Sequence, residues 1–79
     1  MRDDPIPDHN FAHPCVVEVL VPTDGDQWEW ETLIESPNLR RLLAQYAQAR
    51  IDWPDHEPRL RFPRTNFIAS RSELIALAA

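Results

Sequence analysis

His9, His13 and Cys15 form an H-x3-H-x-C group, with residue types that can hold a metal ion. Histidines four apart can ligate together when a helix puts them on one face, but here Pro14 stands between this pair and a strand-like run. A closed zinc site takes four protein ligands, so Asp8 or His56 would have to complete this one. The paired C-x2-C spacing that marks zinc motifs is absent from a chain with one cysteine. Asp24-Gly25-Asp26 opens like a calcium loop, but the later ligands and the distal glutamate are missing. Asp55-His56-Glu57 offers acid and base groups without a nucleophile beside them. There is no G-x-S-x-G, P-loop or G-x-G-x-x-G, and one glycine cannot build a phosphate cradle. Neither a metal, a cofactor nor an enzymatic reaction is expected.

The remaining chemistry is recognition. Arg59, Arg61, Arg64 and Arg71 interleave with Phe62 and Phe67, a mixture able to contact phosphates and stack bases. The net charge of −5 opposes a polyanionic partner. The charge is also unevenly placed. Residues 1–35 carry nine acids against Arg2, whereas residues 36–79 carry four acids against seven arginines. Glu18, Glu29 and Glu31 are expected on one face of a hairpin, with Asp24 and Asp26 at its tip and Glu35 beyond. Two arrangements are open. The acids can form a free face, or Arg59 and Arg61 can lie beside Glu29 and Glu31 and neutralise them.

These residues need elements to position them. Residues 1–14, with Pro5, Pro7 and Pro14, predict an extended N-terminal arm anchored by Ile6 and Phe11. Residues 15–79 predict a single domain. Cys15–Val21 is a β signal, with Cys15, Val17, Val19 and Val21 on one face. Pro22–Asp26 is turn chemistry, and Gln27–Leu33 completes an antiparallel hairpin. Its alternation predicts Trp28 and Trp30 in the core and Glu29 and Glu31 in water. Ser36 is expected to N-cap a helix, with Pro37 at its first position. Leu39, Leu42, Leu43, Tyr46, Ala47 and Ile51 form its predicted buried stripe, and Trp53-Pro54 ends it. Arg59–Phe62 is a third strand and Phe67–Ala69 a short fourth. Ser70-x-x-Glu73 is a capping box before a terminal helix. The fold class is α+β, an antiparallel sheet of three to four strands with two helices in the order β-β-α-β-(β)-α.

Seventy-nine residues with 43% apolar content suit one small core, supplemented in many such domains by oligomerisation. A monomer or homodimer is expected. No apolar run approaches the ~18 residues of a membrane span, and the acidic start does not read as a secretion signal. The single cysteine fits a reducing cytoplasm. All eight basic residues are arginine, a bias that a GC-rich genome explains as well as function does.

In size, acidity and lack of catalytic motifs, with Glu18, Asp24, Asp26, Glu29 and Glu31 gathered on one hairpin, the chain resembles the small phage proteins that inhibit bacterial CRISPR effector complexes. That class shares no motif, so no residue role is carried across. The resemblance implies a non-enzymatic inhibitor in the bacterial cytoplasm. Its acidic face, Glu18, Asp24, Asp26, Glu29, Glu31 and Glu35, would occupy a basic, DNA-binding surface of a partner protein. The alternative is a regulatory interaction protein, such as an antitoxin or dimeric adaptor, using an apolar patch around Trp53 and the terminal helix. The third reading is a nucleic-acid-binding module built on the Arg-rich half.

Overall fold

The valine-rich segment becomes the middle of the sheet. The computed structural model describes residues 6–78, so the first five residues of the expected arm and Ala79 lie outside the described residues. The elements are β1 (Asn10–Pro22), β2 (Trp28–Asn38), α1 (Leu39–Asp52), β3 (Pro58–Phe62), β4 (Phe67–Ala69) and α2 (Arg71–Ala78). The four strands form one antiparallel sheet in the order β2-β1-β3-β4, and the α+β class is as expected. β2 and β3 both run antiparallel to β1 and therefore parallel to each other. A parallel pair needs a crossover, and α1 supplies it. No helix among the described residues is long and apolar enough to cross a membrane.

Both helices pack on one face of the sheet. Val17 pairs with Leu60, and Leu60 with Ala69, so these side chains share a face with Cys15. They form a single core with Leu39, Leu42 and Leu43 of α1 and Leu74 of α2. The arm closes one side of this core. Ile6 and Phe11 pack against it, Leu39 N donates to His9 O at 2.9 Å, and the Arg40 guanidinium donates to Ile6 O. From Asn10 the arm is already strand, earlier than expected.

Three local expectations are corrected. The helix does not start at Ser36-Pro37. β2 continues through both, which an edge strand tolerates because the missing proline N–H can face outward. Asn38 caps instead, its Oδ1 accepting from Arg41 N at 3.0 Å, while buried Ser36 accepts from Asn38 N. The helical stripe is Leu39, Leu42, Leu43 and Ala49, with Tyr46 half-buried. Ile51 lies roughly a third of a turn away from Leu39 around the helix and is 72% exposed; Ala47 is exposed as well. Trp28 and Trp30 are not core residues: they are 55% and 40% exposed.

The tryptophans are displaced by one residue, Leu33. Val17 pairs with Ile34 but Glu18 pairs with Thr32, so Leu33 is the extra residue of a β-bulge. Leu33 and Ile34 both pack against the core. Beyond the bulge the alternation of β2 is reversed relative to β1, because a one-residue slip moves every side chain to the opposite face. Trp28, Trp30 and Thr32 therefore share the helix-free face with Glu18 and Leu20. Glu29 and Glu31 stand across from Val21 and Val19 on the other face.

Two further expectations hold. Gly25 takes φ +93° at the hairpin turn, closed by Thr23 N donating to Gln27 O at 2.8 Å. The capping box forms in both directions: Glu73 N donates to Ser70 Oγ at 3.1 Å, and Ser70 N to Glu73 Oε1 at 3.3 Å.

Candidate interaction surface on the hairpin

The helix-free face of the sheet carries a charged cluster at its centre. Glu18 on β1 lies between Thr32 of β2 and Arg59 of β3. Its Oε1 accepts from Arg59 Nε at 2.5 Å and Arg61 Nε at 2.8 Å, and its Oε2 accepts from Arg61 Nη2 at 3.2 Å. Arg61 thus grips the carboxylate with a two-pronged fork. The Arg59 guanidinium also lies 3.5 Å from the Trp30 ring centroid. Covered by these side chains, Glu18 is only 2% exposed. The expected place of Glu18 on a solvated acidic face is therefore corrected. Burial alone would raise its pKa. Hydrogen bonds from Arg61 and Arg59, with their positive charges, outweigh that and hold the carboxyl below its ordinary range.

The other five candidate residues stay in water. Asp24 and Asp26 flank the turn glycine, Glu29 and Glu31 follow along β2, and Glu35 lies further down the same edge strand, across from Val16. All five are exposed, and among the described residues none is in an ion pair. The bulge separates them by face: Glu35 is on the helix-free side with Glu18, Glu29 and Glu31 on the opposite side. The expected single-face array is instead an acidic tip and rim around the free edge of β2. Arg59 and Arg61 sit across β1 from that rim, so the pairing with Glu29 and Glu31 that would have neutralised it does not form.

The arginine half is largely engaged inside the molecule. Arg59 and Arg61 share Glu18, Arg61 also donates to Asn66 Oδ1, Arg64 contacts the His13 ring, and Arg40 holds the arm. The apolar patch expected around Trp53 and the terminal helix divides in two. Trp53 meets His56, which also meets Trp28. Leu77 instead lines a groove of about 300 Å³ with Phe11, Phe62, Thr65 and Phe67.

Among the described residues, no group of three or more His, Cys, Asp or Glu side chains is placed to hold a metal. Cys15 is fully buried, and burial pushes its thiol up to about 11, which keeps it protonated and unreactive at neutral pH. Sequence reasoning missed two members of this surface, Trp28 and Trp30. The available signal was the adjacent apolar pair Leu33-Ile34, which breaks the alternation of Trp28–Thr32 and marks the bulge. Compared with protein-family models, curated proteins and solved structures, the chain matches none of them.

Proposed function

We propose that this protein is a non-catalytic binding protein that lays its acidic hairpin on a basic, DNA-engaging surface of a partner protein and so excludes DNA. DNA-engaging effector complexes, CRISPR effectors among them, present surfaces of that kind. The observation that carries the reading is the division of charge. Two arginines next to the hairpin are taken by buried Glu18, while Asp24, Asp26, Glu29, Glu31 and Glu35 remain exposed and unpaired among the described residues. Clustered like charges repel one another and contribute nothing to cohesion of the fold. In exchange they create a negative field that speeds encounter with a basic surface and substitutes for phosphates there.

The test uses the full chain as bait in bacterial lysate, followed by rebinding of the purified captured protein. A partner that binds DNA, releases it on binding this protein, and loses affinity for the Glu29→Arg/Glu31→Arg variant supports the reading. The loss should lie partly in slower association and should shrink at high salt, where the screening length falls to ~3 Å at 1 M. A partner that holds DNA and this protein together, or that binds the charge-reversed variant equally well, refutes it.

A further inference from the structure

On the helix-free face, the α1–β3 loop and the first residues of β2, with Leu20 of β1, line a cleft of about 230 Å³ formed by Leu20, Trp28, Trp30, Asp55, His56 and Glu57. We infer that this cleft is a receptor for one arginine side chain of the partner. The inference rests on the proposed basic partner and names the side chain that would anchor it.

The floor and walls are apolar and aromatic, which suits the stem of a long side chain. Trp28 meets His56 with 5.7 Å between ring centroids and is otherwise more than half exposed, an unusual position for so large a ring. An indole face attracts cations, guanidinium above all, and this molecule already displays the contact one residue pair away, where Arg59 lies over Trp30. Asp55 and Glu57 are exposed and form no ion pair among the described residues. Carboxylates in that position can accept the forked N–H groups of a guanidinium stacked on Trp28. Glu18 divides its one negative charge between Arg59 and Arg61, so the cluster beside the cleft keeps one positive charge, against which Asp55 and Glu57 bring two negative ones. A nucleobase could also stack on Trp28, but its phosphates would then face Asp55 and Glu57, so charge favours the arginine.

The cleft is tested by titrating the protein with acetyl-Gly-Arg-Gly-amide and its uncharged citrulline isostere, following the Trp28 indole and the His56 and Glu57 backbone amides by NMR. The arginine peptide should bind about threefold to thirtyfold more tightly than the citrulline peptide, the range of a partly desolvated cation–π contact. A lysine peptide should fall between them. Asp55→Asn/Glu57→Gln should erase most of the preference, and Trp28→Ala should weaken the arginine peptide at the His56 and Glu57 amides. Equal binding of arginine and citrulline peptides, an unaltered preference in either variant, or stronger shifts with oligothymidylate would each overturn the inference. An Asp24→Asn/Asp26→Asn/Glu29→Gln/Glu31→Gln variant separates the two proposals. It should keep the arginine preference of the cleft while losing partner capture. Capture retained by this variant counts against the hairpin reading alone, and a lost arginine preference counts against the cleft.

Discussion

In the middle of β1 a glutamate is buried, while on β2 two glutamates of the same hairpin stand in water. The residue type is identical, and the difference lies in what the neighbouring strand supplies. Glu18 is on an interior strand, and β3 brings Arg59 and Arg61 within hydrogen-bond reach of its two oxygens. Glu29 and Glu31 are on an edge strand, past the bulge, with Val21 and Val19 across from them and no strand on the other side among the described residues. One carboxylate is part of the architecture; the other two contribute field and little cohesion. Charge on an edge strand also discourages pairing with another copy of the same edge. The comparison separates acids that hold this fold from acids available to a partner.

The sharpest way to break it is from beneath. Leu42 is fully buried at the centre of the core that supports the strands of both regions. Leu42→Ala should cost about 2–5 kcal/mol, a large share of the stability of so small a domain. The melting temperature should fall steeply, and both the Glu18 cluster and the hairpin should be lost in one cooperative transition. A hairpin that keeps its amide protection after the core has melted would show the two regions to be independent.

Glu18 comes next. Glu18→Gln removes the charge from a site two arginines depend on, and should cost about 1–3 kcal/mol at neutral pH. The arginine side chains retain 26% and 24% exposure and can turn to water, which keeps the cost below that of a fully enclosed pair. The pH dependence is specific. A carboxyl whose pKa is lowered by folding stabilises the native state fully above its unfolded value near 4.5, and that stability is lost as the pH falls through the lower folded value. Wild type should therefore lose stability on acidification through this window more steeply than Glu18→Gln. Parallel acid limbs in denaturant titrations of the two proteins would remove Glu18 from that role.

How much of this was legible in the sequence follows from the same contrast. Local signals read correctly where one stretch of chain decides the outcome: Gly25 at the turn, Ser70 and Glu73 in their capping box, the three-residue strand Phe67–Ala69. Leu60 faced inward as its alternation required. Errors gathered where a second strand decides. Trp28 to Thr32 alternates regularly, but which face its tryptophans take depends on register against β1, and one bulge residue reverses it. The partner of Glu18 was equally out of reach, since strand order places Arg59 beside it from 41 residues away. At the start of α1, Ser36-Pro37 read as the cap, but the edge strand runs through both residues and Asn38 caps instead.

The smallest expected effect discriminates best between the two kinds of acid. Glu29→Arg/Glu31→Arg should leave thermal stability within about 0.5 kcal/mol of wild type, or raise it slightly by relieving repulsion along the acidic rim. Neither glutamate is in an ion pair among the described residues, so reversal breaks no bond. Glu18→Arg, by contrast, would bury a third positive charge against Arg59 and Arg61 and should be strongly destabilising. A double-mutant cycle makes the point quantitative. Combining Glu29→Arg/Glu31→Arg with Arg59→Glu should give additive changes in stability, because Arg59 reaches over β1 to Trp30 on the helix-free face, whereas Glu29 and Glu31 stand on the other face. If Arg59→Glu instead restores a loss caused by the hairpin reversals, the rim is neutralised from within the chain. The free acidic tip would then cease to exist as a surface for a partner. Calorimetry on wild type and the three variants, at low and high salt, decides between additivity and rescue.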